Sequence, residues 1–173
     1  MLVTMKRQVF DSLDPAVLAW ECIGPIALPL RGKHPSMKSQ VYAQLTAGQQ
    51  ALFVVQVLYN HAGEEAAELY CWASTLLRDL QAWGAIKAGV RYFGDEAMGR
   101  LLEQLESVLE ARHQQEEMPQ REALPWDLDE DPELFTSMSQ LNATFHALAP
   151  ASLKLMGGYI RKAPSEFVLI EDL

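Results

Sequence analysis

The chain has 173 residues, 49% of them apolar and 21% charged, with 23 acids against 14 bases and a formal net charge of −9. These values argue against intrinsic disorder and against a direct nucleic-acid ligand, because an acidic domain repels a polyanion. They describe one soluble domain able to bury about two thirds of its unfolded surface.

In chain order, the first region, residues 1–33, reads as an N-terminal arm with one short helix: Asp14-Pro15 starts it, and Gly24-Pro25 and Pro29 break it. No long apolar run or small-residue cleavage site follows Lys6 and Arg7, so nothing marks the start for secretion. His34-Pro35 opens a second helix to about Leu45, and Thr46 with Gln49 forms a capping box for a third, Ala47 to about His61. That third segment is apolar all round. A buried strand competes for it, but a lone strand would have no sheet, so a buried central helix is preferred.

After Gly63 a helix spans Glu64 to Leu77, and Asp79 caps another over Leu80 to Phe93 that Gly94 ends. Asp95 caps the clearest element, running to about Glu117, with Met98, Leu101, Leu102, Leu105, Val108 and Leu109 in one stripe. Residues 118–130 read as an acidic exposed loop. Asp131-Pro132 restarts a helix to about Leu148, and a last helix lies between Pro150 and Pro164, with Ser152 as its cap. The apolar tail from Phe167 to Ile170 should pack onto the body. The predicted fold is all-α, a single domain (1–173) of about seven or eight helices, with a cytoplasmic location.

The charge is unevenly placed. From Asp95 to Glu133 there are 13 acids and three bases, whereas the rest of the chain is nearly neutral. Glu96, Glu103, Glu106, Glu110 and Glu117 fall on one arc opposite the apolar stripe. Such a row is either a solvated face or a docking surface for a basic partner. As an imitation of DNA it is sparse: one charge per roughly 6 Å against one per about 1.7 Å in a duplex. A homodimer or the acidic loop would have to raise that density.

Other chemistry is weakly signalled. Glu110-x-x-His113 with Glu117 has a metal-like spacing but faces outward, and no metal or cofactor is expected. His61 with Glu64, Glu65 and Glu68 forms a second cluster near a turn. With neighbouring aromatics such as Trp72 it defines an alternative reading as a small-molecule- or metal-binding bundle. Cys22 and Cys71, flanked by apolar residues, read as buried inert thiols without disulfide or zinc spacing. No nucleophile elbow, phosphate loop or metalloprotease motif is present, so no enzymatic activity is expected. Gly157-Gly158 reads as a close helix contact.

Leu141-x-x-x-Phe145, Leu153, Leu155, Tyr159-Ile160-Arg161, Pro164 and Phe167 resemble the end of a DNA-mimic-like all-helical bacterial family, catalogued mostly as a domain of unknown function. Tyr59-Asn60-His61, Gly63, Tyr70, Trp72 and Ala97 to Leu109 are similar in order, so the resemblance spans about residues 40 to 168. Where that family shows an Asn-Gly-Gly-Phe-type turn, this chain has Asn60-His61-Ala62-Gly63-Glu64. The resemblance implies an all-helical, often dimeric protein whose acidic surface occupies the DNA-binding face of a transcription factor. It carries over no catalytic residue. The expected function is a non-enzymatic interaction module presenting the glutamate row to a basic protein, with no membrane and no direct nucleic-acid contact.

Overall fold

The computed structural model describes residues 1–115 and 121–172. It is all-α apart from one pair of short strands. In chain order it comprises β1 (Val3–Lys6), α1 (Arg7–Ser12), α2 (Pro15–Glu21), α3 (Gly24–Ala27), α4 (Pro35–Ala43), α5 (Ala47–His61), α6 (Ala66–Ser74), α7 (Trp83–Tyr92), α8 (Glu96–Gln115), α9 (Asp127–Glu130), α10 (Pro132–Lys162) and β2 (Val168–Glu171). Short 3-10 turns follow α3 and α10.

The start of the chain is not an arm with one helix. Asp14 caps α2 by accepting the Ala16 N–H, as expected, but α1 and α3 flank it, and Phe10, Leu18, Ala19, Cys22, Ile23 and Ile26 are buried. The apolar residues of these short helices close the core beside α10. The tail packs onto the body as expected, but as a strand. β2 lies parallel to β1 with Val3 opposite Val168 and Met5 opposite Ile170, so strand alternation buries Met5 and Val168 while Thr4 and Leu169 face solvent.

α5 is the buried central helix. The capping box forms, with Thr46 Oγ1 accepting the Gln49 N–H and Gln49 Oε1 accepting the Thr46 N–H. From Ala51 to Tyr59 no residue of α5 is exposed. Its β-branched residues, Val55 buried and Val54 and Val57 partly buried, therefore tolerate helix because tertiary burial outweighs their strand preference. Gln49, itself fully buried, donates through Nε2 to Met1 O at 2.7 Å and more weakly to Phe167 O at 3.4 Å. Both chain ends are thereby tied to the start of the central helix.

Three expected boundaries differ. Asp79 does not cap a helix: α6 runs on into a wide π turn, Thr75–Asp79, in which Leu80 N–H reaches Thr75 O, and α7 begins only at Trp83. Residues 121–130 are not a wholly exposed loop. Ala123, Asp127 and Leu128 are buried, and α9 forms there. The two helices expected after Asp131 are one helix of 31 residues with Pro150 inside it. Pro150 lies on the exposed side, where a single missing N–H is tolerated because packing on both flanks holds the helix. Ser152 is accordingly no cap; its buried hydroxyl donates to Asp95, which in turn accepts the Met98 N–H and caps α8 as predicted. Gly94 ends α7 with φ +73°, a conformation that favours glycine. Among the described residues no helix is long and apolar enough to cross a membrane.

Candidate functional site

The glutamate row sits on the outer side of α8, opposite the buried Met98, Leu101, Leu102, Leu105 and Leu109. Its members are not equivalent. Glu106 is half-buried and bound to the Lys87 ammonium of α7 at 2.5 Å, so its charge is answered within the fold. Glu96 lies 3.7 Å from Arg100, a loose and solvated pair. Glu103 and Glu110 are exposed and have no ion pair among the described residues, although Glu103 shares a shallow cleft of about 400 Å³ with Lys87, Arg91 and Arg100. Glu117 lies outside the described residues. The even five-charge row expected from the helical arc is therefore not what α8 presents. The cations of α7 and of α8 itself, invisible to a helical projection of the acids, break it up. Glu130 and Glu133, around the start of α10, are also exposed and have no ion pair among the described residues.

The acidic segment also contains a buried group. Asp127 is fully buried, accepting hydrogen bonds from Tyr70 Oη at 3.1 Å and the Leu124 N–H at 2.9 Å, and pairing with Arg121. Burial alone would raise its carboxyl. The hydrogen bonds from Leu124, Arg121 and Tyr70 outweigh burial and hold it below the usual carboxylate range. This anchor draws residues 121–130 onto the body.

The alternative ligand set is divided. His61 and Trp72 stack with ring centroids 3.7 Å apart, and burial, then Arg31 and Lys38, hold the imidazole below its ordinary pKa. Glu64 and Glu65 instead line a different place, a cleft of about 670 Å³ between the start of α6, α9 and α10. From α10 come Phe135, Ser139, Asn142, Ala143 and His146, and from the α9 region Pro125, Leu128 and Asp129. Glu68 turns back to accept the Glu65 N–H, a long bond at 3.5 Å within the helix start. Asn142 and His146 bridge the helices: Asn142 Nδ2 donates to Glu64 O and His146 Nε2 to Gly63 O, each at 2.8 Å.

The α10 members of the cleft were not singled out from sequence. A signal existed, since Phe135, Ser139, Asn142 and His146 recur at helical spacing on one face, but a polar stripe reads as solvent-facing until its neighbours are known. Among the described residues no three His, Cys, Asp or Glu side chains converge to hold a metal. Cys22 is buried, and burial, with a smaller push from Glu21, takes its thiol up to about 12; Cys71 is half-buried and also raised, by burial first and then Asp127 and Glu122. Neither thiol ionises readily at neutral pH. Gly157 forms the close helix contact, its Cα facing the Pro15 backbone of α2, while Gly158 has open space.

No family model, curated protein or solved structure matches the chain.

Proposed function

We propose that this chain is a non-enzymatic interaction module that recruits a basic polypeptide through exposed acids of α8 and of the start of α10. The observation supporting this is the set of exposed carboxylates at Glu103, Glu110, Glu130 and Glu133, which have no ion pair among the described residues. Unpaired surface charge of one sign steers an oppositely charged partner and is left uncompensated at some cost to the fold. Of the row, Glu106 is held by Lys87, Glu96 lies only in a loose pair with Arg100, and Glu117 is outside the described residues, so the reading rests on Glu103 and Glu110. That spacing, roughly 10 Å along α8, is well below the charge density of a duplex, so imitation of DNA is not part of the reading.

The test is capture of partners from native lysate at low and high salt, using the parent protein and a variant carrying Glu103→Lys, Glu110→Lys, Glu130→Lys and Glu133→Lys. A complex that weakens with salt and disappears with the reversals is the expected result. A complex retained by a folded variant would refute the reading.

A further inference from the structure

We propose that α4 and the turn before it form a docking surface for an acidic polypeptide, separate from recruitment by the acids of α8 and the start of α10. The first observation is a helix left largely uncovered. No residue of α4 is buried, and every residue from 31 to 40 is exposed. The helix is held to the body at its last turn, where Val41 and Tyr42 are partly buried, the Tyr42 ring meets Phe53 edge-on and the Tyr42 carbonyl accepts from Gln50 Nε2 at 3.0 Å. A helix of nine residues is marginal in water by itself, and a covering partner would stabilise it. The second observation is charge. From Cys22 to Gly63 the sequence holds no acid, and its three bases, Arg31, Lys33 and Lys38, all lie at this surface. None of the three has an ion pair among the described residues. In a chain of net charge −9 they make an island of positive potential.

The third observation is an aromatic platform beside the bases. Trp72, 37% exposed, stacks on His61, and Arg31 and Lys38 both act on that imidazole, so the segment 31–38, the end of α5 and α6 converge on one place. Leu28 and Met37, both exposed, add apolar surface to the same segment. The complementary group offers carboxylates to the forked Arg31 guanidinium and to the lysine ammoniums, and methylenes to the indole. Acidic side chains carried on a polypeptide supply both. A membrane surface fits less well, because the exposed turns of α4 carry Met37 as their one large apolar residue and lack the broad apolar face with which a helix lies in a bilayer interface. Nucleic acid fits less well too, since its denser charge is repelled by the acids that fill the rest of the chain.

Fluorescence anisotropy of the full chain with a short labelled Glu-rich peptide containing leucine tests this, with its Gln-for-Glu counterpart, anionic phospholipid vesicles and a single-stranded oligonucleotide as competing ligands. The Glu-rich peptide should bind, weaken as salt rises and shift the Trp72 indole N–H resonance, and the other ligands should not bind. Arg31→Glu with Lys33→Glu and Lys38→Glu should weaken the peptide by about tenfold or more; these side chains are exposed and without ion pairs, so the melting curve should stay as it is. Arg91→Glu with Arg100→Glu and Lys154→Glu makes the same change of net charge elsewhere on the exposed surface and should retain most of the affinity. Glu103→Lys with Glu110→Lys should not weaken it, which separates this surface from the recruiting acids. No binding of the Glu-rich peptide, full affinity after the Arg31, Lys33 and Lys38 reversals, an equal loss after the matched reversals, or tighter binding of vesicles or oligonucleotide would each overturn the proposal. So would salt-sensitive self-association in sedimentation that the same three reversals abolish, because a second copy would then be the occupant.

Discussion

Gly157 and Gly158 are neighbours in one helix with opposite physical circumstances. A Cβ on Gly157 would overlap the carbonyl of Pro15, a backbone group that cannot turn aside, whereas one on Gly158 would meet nothing within 4 Å. Gly157→Ala should therefore destabilise the fold by about 2–3 kcal/mol through overpacking, and Gly158→Ala should stabilise it by up to about 1 kcal/mol through helix propensity; denaturant unfolding of the pair checks both signs. Asp127 makes a second residue-scale case. Its carboxyl titrates below the unfolded value of 3.8, so the unfolded chain takes up the proton first. The resulting stability is complete above that value and is lost as pH falls through the folded pKa. Asp127→Asn should cost about 1–3 kcal/mol at neutral pH by leaving a donor unsatisfied. It should also flatten the loss of stability that the parent shows as pH falls below the unfolded value of 3.8. An acid limb as steep as the parent's would show that Asp127 is not responsible. Sequence showed a run of acids here, and nothing in it distinguished the one that is buried.

At the scale of elements, capping and periodicity carried most of the information. The Thr46/Gln49 box, the Asp95 cap of α8 and the Asp131-Pro132 start of α10 are local devices, and they form as the residues dictate. The errors arose where local and tertiary preferences diverge. Pro150 signals a break, yet α10 continues, because α10 is held before and after it by buried residues such as Phe145 and Met156. The strands went unseen since each is four residues long and pairs across nearly the whole chain. Gln49 joins these distant pieces. Gln49→Ala should cost about 2–3 kcal/mol, as the Met1 and Phe167 carbonyls and the Thr46 cap amide lose their partner, and hydrogen exchange should show protection lost at residues 3–6 and 168–171 before the helices. Uniform loss of protection across α5, α8 and α10 would contradict that role.

For the whole molecule, the decisive matter is where charges meet. Lys87 holds Glu106 across the α7–α8 boundary. Lys87→Ala should change stability by no more than about 1 kcal/mol, since the pair is partly exposed, but it frees a carboxylate beside Glu103. Capture of the basic partner at low salt should strengthen; unchanged capture would place the contact elsewhere. The sequence by itself determined the all-helical class, the buried α5, the apolar stripe of α8 and the excess of acid between Asp95 and Glu133, because caps, periodicity and composition act between residues close in the chain. Only the tertiary structure decided which of those acids keep their charge unanswered, that His61 and Trp72 stand apart from Glu64 and Glu65, and that Asn142 and His146 meet the start of α6. Those are contacts between segments dozens of residues apart, and burial, ion pairing and hydrogen-bond satisfaction exist only once the helices have packed.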